Sequence, residues 1–329
     1  MDLLKKAIER MPKYELVLAP TPLHRLKNME KEYDYSNIYI KRDDLTGLGP
    51  GGNKLRSLEF IIGEAISMDC DTVIAGGPEQ SNFCTLTAVA CAKAGIKCIL
   101  VHNGEKPKSL EGNIVLNELL GVESHFIGKV DSSVRGKYEE ELAERLENEG
   151  KKPYIAKKGA TTGVGALGYV NAIIELVNQC KTDNIKLDSI YAPGGNGGVA
   201  TGLIYGNALA GFPFKINIIS VEYDKAELIK NIEETILEVE ELLGLKFEHS
   251  VEDASNIIDD YRGLGWGENT TESSNEVLAF PRSEGIFIEN VYNSKVLVGM
   301  KDQILKGKAE GNICYLHTGG FGSLFSQYK

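Results

Sequence analysis

Lys54 ends a run that holds Gly47, Gly49, Gly51 and Gly52, and a helical pattern starts at once behind it. Glycine backbone is slim, so a flat ligand can lie against it, and an amine at the seam between loop and helix is held in place. Two further junctions share this character. Gln80-Ser81-Asn82 follows Gly76 and Gly77, and the loop Gly194, Gly195, Asn196, Gly197, Gly198, Val199 follows a β-rich run. Successive backbone N–H groups that open a helix make an anion site, suited to phosphate or carboxylate. The 194–199 loop lacks the Gly-Lys-Ser/Thr of a nucleotide loop and the glycine spacing of a dinucleotide fingerprint. It reads as a phosphate cradle or as a tight turn. Ser81 and Asn82 read either as a helix cap or as donors to a substrate carboxylate. An amine beside a phosphate cradle has one obvious use, condensation with the aldehyde of pyridoxal 5'-phosphate, with Asn53 available to the cofactor or its loop.

The elements that must position these residues alternate between strand and helix. "SNIYIKRDD" reads as a strand, and "KLRSLEFIIGEAISMD" as a helix with Leu55, Leu58, Ile61, Ile62, Ala65 and Ile66 at helical spacing. The order then runs strand "CDTVIAGG", helix "SNFCTLTAVACAKAG", strand "IKCILV", helix "EGNIVLNELLG" and strand "ESHFIG". "SSVRGKYEEELAERLENEG" reads as a charged, exposed helix. Further on come helix "GALGYVNAIIELVNQC", strand "DSIYAPGG", a helix after the glycine loop, strand "KINIISVEY", a Glu-rich helix near 225–243 and a last strand in "GNICYLHTGG". The glutamates of 225–243 read as a solvated face, and the polar stretch 251–285 carries no regular pattern. Such alternation predicts parallel sheet covered on both faces, with ligands at the carboxyl ends of the strands.

Bulk properties narrow the function classes. A chain of 329 residues has room for one large α/β domain or two moderate ones. A net charge of −11 disfavours a nucleic-acid or anionic-membrane surface. No stretch is read as staying apolar for the ~18 residues of a membrane span, and the N-terminus has no signal-peptide core. The six cysteines form no CxxC pair and read as reduced, buried thiols, which makes the cytoplasm the expected location. The five histidines show no metal-ligand spacing, so no metal is expected; His317 reads as a strand-end histidine satisfied by backbone.

Taken in order, "PTPLHRL", "YIKRDDLTGLGPGGNKLRSLEF", "GGPEQSN", "GALGYVNAIIEL", "PGGNGGVATGL", "VYNSKVLVGM" and "LHTGG" resemble the fold-type II (tryptophan synthase beta-like) pyridoxal-phosphate enzymes over nearly the whole chain. Within them the sequence is most similar to the D-cysteine desulfhydrase and 1-aminocyclopropane-1-carboxylate deaminase family. The resemblance implies an α/β fold of two open, twisted, mostly parallel sheets flanked by helices. It implies a large cofactor-binding domain of residues 1–48 plus 160–329, a small inserted domain of 49–159, and a cleft between them. It makes Lys54 the Schiff-base lysine, Asn82 a contact of the ring hydroxyl, and Ser81 a serine beside the reacting carbon. It also makes Gly195, Asn196, Gly197, Gly198 and Val199 the phosphate loop, Tyr292 an active-site tyrosine, and Thr318 a partner of the pyridine nitrogen.

The sequence departs from the family pattern where Trp266 replaces a Gly-Tyr-Gly tyrosine, Phe83 a polar residue, Thr85 an arginine and Val199 a threonine. Trp266 and Phe83 are expected to shape the substrate pocket with Ser81 and Asn82, Trp266 being readable also as a packing anchor. The expected reaction is β-elimination from a small amino acid, D-cysteine giving pyruvate, sulfide and ammonia, with Lys54, Ser81 or Tyr292 moving the α-proton. Alternatives are a cyclopropane amino acid deaminase, another β-substituted amino acid lyase, a racemase, or a weakly catalytic protein that keeps the cofactor as a ligand. Beyond the cofactor and substrate, the expected partner is a second copy of the chain.

Overall fold

A computed structural model describes residues 1–327. The strands are β1 (Leu23–Arg25), β2 (Ile38–Arg42), β3 (Thr72–Gly77), β4 (Lys97–His102), β5 (Glu123–Phe126), β6 (Pro153–Ala156), β7 (Ser189–Gly194), β8 (Lys215–Ser220), β9 (Asn256–Ile258) and β10 (Ile313–His317). The helices are α1 (Asp2–Glu9), α2 (Lys27–Tyr33), α3 (Lys54–Ser67), α4 (Asn82–Ala94), α5 (Asn113–Leu119), α6 (Ser132–Asn148) and α7 (Gly163–Thr182). They continue with α8 (Gly198–Leu209), α9 (Lys225–Leu243), α10 (Val251–Ala254), α11 (Thr271–Glu284), α12 (Asn293–Leu305) and α13 (Phe321–Gln327).

The strands form two sheets. One runs β1-β2-β10-β7-β8-β9 and is parallel except for β1; the other, β5-β4-β3-β6, is parallel throughout. Near-continuous apolar strands such as "ICYLH", buried at every residue, are what sheets covered on both faces require. On one side of the larger sheet, Ile173, Leu203, Ile232 and Val239 from α7, α8 and α9 pack in one core; on the other, Met29, Phe280, Leu297 and Met300 from α2, α11 and α12 pack in a second. The smaller sheet lies between a core from α3 and α4 and another from α6.

Three expectations change. The segment Lys158–Thr182 is, by length and composition, apolar enough to cross a membrane, and 72% of its apolar window is buried inside the protein. Its larger part, Gly163–Thr182, is the core helix α7, touching α3, α8 and α9. The helix α6 is not simply exposed, because Glu139, Leu142, Ala143 and Leu146 are buried against the small sheet. Its apolar face is narrow, so its many charges masked it. The 251–285 stretch is regular in large part. It supplies α10, the edge strand β9 and α11, which Thr270 opens with a capping box and Gly285 closes in a left-handed conformation.

Candidate active site

The site is made of turns that leave the carboxyl ends of parallel strands, where open α/β sheets bind ligands. The chain leaves β2 for the glycine run and enters α3 at Lys54. It leaves β3 for Ser81 and α4, β7 for Gly195–Gly198 and α8, and β10 for Thr318–Gly320. Helix starts leave backbone N–H groups without helical partners.

Lys54 is fixed from both sides. Ahead of it, Gly52 bridges Gly319 in antiparallel fashion and the Asn53 N–H donates to the Thr318 carbonyl at 3.0 Å. A Cβ on Gly319 would stand 2.6 Å from the Gly52 Cα, and Gly319 has φ +91°, so only glycine fits this approach. Behind it, the buried Arg56 donates to Asp43 (2.7 Å from both Nε and Nη2) and to Glu175 (2.9 Å), while the Tyr169 hydroxyl donates to Asp43 (2.8 Å). This network pins α3 to the chain just past β2 and to α7. Helix α3 also crosses α7 so closely that a Cβ on Gly168 would overlap the Arg56 carbonyl.

The Lys54 amine donates to the Gly159 carbonyl at 2.7 Å. No carboxylate pairs with it among the described residues, and burial pushes its pKa down to about 8. The side chain is half-buried, enclosed by protein yet still touched by water. From Gly159 the chain passes to Thr161, whose Cα would lie 3.2 Å from a Cβ on Gly198. Gly197 has φ +106°, and a Cβ on Gly195 would stand 3.1 Å from the Tyr292 ring. Side chains at these glycines would press on Tyr292, Ile232 and Thr161, so the loop keeps its place only as bare backbone. The Asn196 Oδ1 accepts from the Tyr223 hydroxyl at 3.3 Å, and Val199 is half-buried against the apolar core.

The other predicted residues divide. Ser81 caps α4, its Oγ accepting from the Cys84 N–H at 3.3 Å. Asn82 accepts from Asn113 Nδ2 at 2.7 Å and lies beside Gly320, so its amide borders the Thr318 turn. Thr318 donates from its hydroxyl to Asn293 Oδ1 at 3.3 Å, a long bond that a better partner can replace. Trp266, 44% exposed, donates from its indole to the Tyr292 hydroxyl at 2.7 Å, which excludes a plain packing anchor. Phe83 is the correction. It is 3% exposed and belongs to the core with Leu55 and Leu86, because its position on α4 faces the core under the smaller sheet; it offers a ligand almost no surface. Thr85 is also buried, bonded to Asn117.

Several residues at the site escaped the sequence reading. Gly159 and Thr161 had no signal. Asn293 and Lys295 stood inside the quoted "VYNSKVLVGM". Asn293 ties the cleft together, since Oδ1 accepts from the Tyr315 hydroxyl (2.7 Å) and the Thr318 N–H (3.0 Å) while Nδ2 donates to the Gly319 carbonyl (2.7 Å). Glu289 accepts from the backbone N–H groups of Val291, Tyr292 and Asn293, seating the start of α12, although burial pushes its carboxyl up. His317 accepts from the Gly319 N–H at Nδ1, so its Nε2 carries the proton and donates to the Phe287 carbonyl.

An enclosed amine without a counter-charge, beside a loop kept as bare backbone, fits pyridoxal phosphate. Comparison with known proteins agrees. The profile of the family described as "Pyridoxal-phosphate dependent enzyme" matches residues 14–319. A putative 1-aminocyclopropane-1-carboxylate deaminase of Pyrococcus horikoshii is 36% identical over 318 residues, covering 97% of this chain and 94% of the relative. A D-cysteine desulfhydrase of Klebsiella pneumoniae is 31% identical over 328 residues, covering 98% of each. The crystal structure of an ACC deaminase homologue superposes with a TM-score of 0.91 at 34% identity, covering 99% of this chain and 97% of the other. A tomato threonine deaminase, at 16% identity and a TM-score of 0.68, shares the fold. With its profile and its whole-length relatives in agreement, the chain belongs to the pyridoxal-phosphate dependent enzymes, as a fold-type II lyase or deaminase.

Proposed function

We propose that the protein is a β-eliminating lyase that converts D-cysteine and water into pyruvate, sulfide and ammonia. When bound, pyridoxal phosphate supplies the electron sink that makes the substrate α-C–H acidic. In this reading Lys54 carries the cofactor and moves the α-proton, being an amine poised near neutrality. The backbone at 195–198, with the start of α8, holds the phosphate, while Asn53, Asn82 and Thr318 border the ring. Ser81 and the N–H groups that open α4 hold the substrate carboxylate, and Trp266 and Tyr292 bound the pocket opposite.

The observation that carries the reading is the Lys54 amine, enclosed, without a counter-charge and held only by a carbonyl. 1-Aminocyclopropane-1-carboxylate has no α-hydrogen, so its ring must be opened by another first step.

The test is product release from cofactor-loaded protein given D-cysteine, L-cysteine or 1-aminocyclopropane-1-carboxylate. Pyruvate and sulfide from D-cysteine, abolished in Lys54→Ala, are expected. 2-Oxobutanoate and ammonia from the cyclopropane acid, with no pyruvate from D-cysteine, would replace this reading with the deaminase one. The same reading takes 1–48 with 160–329 and 49–159 as two domains, a division supported by the four strands of the small sheet all falling within 72–156. It includes a cytoplasmic homodimer, supported by the exposed aromatic cluster Phe287, Phe321 and Phe325 and tested by light scattering and cell fractionation.

A further inference from the structure

Tyr292 starts α12 and borders the glycine loop, and its hydroxyl is bonded in a way that fixes its chemistry. An indole N–H only donates. The Trp266 Nε1–H, 2.7 Å from the Tyr292 oxygen, therefore occupies a lone pair on that oxygen and can never receive the phenolic proton. The neutral phenol therefore keeps its O–H for another acceptor. Burial pushes this phenol above its ordinary range and outweighs the indole donor, which by itself favours the phenolate.

Trp266 is itself on an irregular loop between β9 and α11, with neighbouring Leu264 at 92% exposure. Such a loop does not hold an indole in register without an anchor. The anchor is Lys295, 1% exposed and one turn along α12 from Tyr292. Its Nζ donates to the carbonyls of Arg262 (2.7 Å), Gly265 (2.8 Å) and Val221 (3.4 Å). An ammonium carries three N–H groups, and three carbonyls satisfy them. A buried lysine that no carboxylate among the described residues pairs is costly, and this one is placed where its donors gather the loop bearing Trp266.

We infer that Lys295 and Trp266 are positioning residues for Tyr292: the buried ammonium seats the 262–265 backbone, the seated loop presents the indole N–H, and the indole fixes the Tyr292 hydroxyl beside Gly195. So fixed, Tyr292 presents its O–H to the cleft in one orientation. This inference rests on the reading of the cleft as the pyridoxal phosphate site.

Trp266 is the chain's only tryptophan, so its emission reports on this contact alone. In cofactor-loaded full-length protein, Tyr292→Phe removes the acceptor and Lys295→Met removes the seat. Each is expected to lower Trp266 anisotropy and raise its quenching by acrylamide, with far-ultraviolet circular dichroism and the cofactor absorbance band retained. Lys295→Arg keeps donors at the site and is expected to stay closer to wild type than Lys295→Met. With D-cysteine, Trp266→Phe should lower kcat by roughly 10- to 100-fold with KM little changed, since lost orientation acts on turnover rather than uniform binding. Trp266 anisotropy and quenching unaltered in both Tyr292→Phe and Lys295→Met would overturn the inference, as would wild-type kcat in Trp266→Phe. If Lys295→Met fails to fold, Tyr292→Phe alone decides. Wild-type protein that holds the cofactor but releases no pyruvate from D-cysteine would overturn the substrate reading, and the fluorescence of Tyr292→Phe would still decide this one.

Discussion

Lys54 is an amine whose environment, more than its type, makes it useful. An exposed lysine is nearly all ammonium at neutral pH, and the ammonium form is no nucleophile. Burial lowers the Lys54 pKa from 10.5 to about 8. The sign follows: above about pH 8 most Lys54 is free amine, and below it the free fraction falls tenfold per pH unit. The rate at which apoprotein takes up pyridoxal phosphate, followed by absorbance, should therefore rise with pH and level off above about 8. A rate already level from pH 6 upward would show that the amine is not limiting. The depressed pKa also bears on folding. The folded form binds this proton less well than the unfolded chain, so the burial of Lys54 opposes folding fully below about pH 8 and ceases to do so as pH rises through 10.5.

At the scale of elements, the cleft depends on turns meeting at backbone distance. The turn before α3 and the turn after β10 touch through Gly52 and Gly319, and Asn53 and Thr318 lock them with a backbone hydrogen bond. Gly319→Ala puts a Cβ 2.6 Å from the Gly52 Cα at φ +91°. The two turns must separate, displacing Lys54 relative to Thr318. We expect a loss of about 1–3 kcal/mol in stability, read in a urea titration, together with much weaker cofactor retention, read by absorbance after dialysis. Retention equal to wild type would mean the contact does not set the position of Lys54. Sequence made this pair visible only as separate glycine runs, one in "LGPGGNK" and one in "LHTGG". That they face each other is a product of β10 lying beside β2, a pairing of segments about 270 residues apart.

The whole molecule is held at the cleft by a buried ionic group. Arg56, 2% exposed, bonds Asp43 and Glu175, and Lys41 bonds Glu175, so residues from β2 onward, α3 and α7 meet in one network. Burial alone pushes the Asp43 carboxyl up, but the Arg56 guanidinium outweighs it and holds the group below its ordinary range. Arg56→Met leaves two carboxylates short of a partner, and removing one member of a buried pair costs about 3–5 kcal/mol. The urea midpoint should fall accordingly, and because Lys54 is one residue from Leu55 and two from Arg56 on the same helix, cofactor binding should fall with it. A midpoint within error of wild type would mean that the network contributes no net stability.

The sequence by itself determined the alternation of strands and helices, the amine at the head of α3, the glycine loop before α8 and the cap of α4. These are local properties: hydrophobic period, glycine freedom and capping chemistry act over a few residues. Tertiary structure alone decided that Phe83 turns into the core, since neighbouring residues on a helix face different ways and only packing says which face meets the cleft, and that the loop after β9 brings Trp266 to Tyr292. It also decided that Gly159 receives the Lys54 amine, that Asn293 joins Tyr315, Thr318 and Gly319, and that Lys295 lies beneath the Trp266 loop. Each of these contacts joins segments far apart in the chain or depends on a backbone carbonyl. A carbonyl is the same chemical group at every residue, so no residue type can announce which one a distant side chain will find.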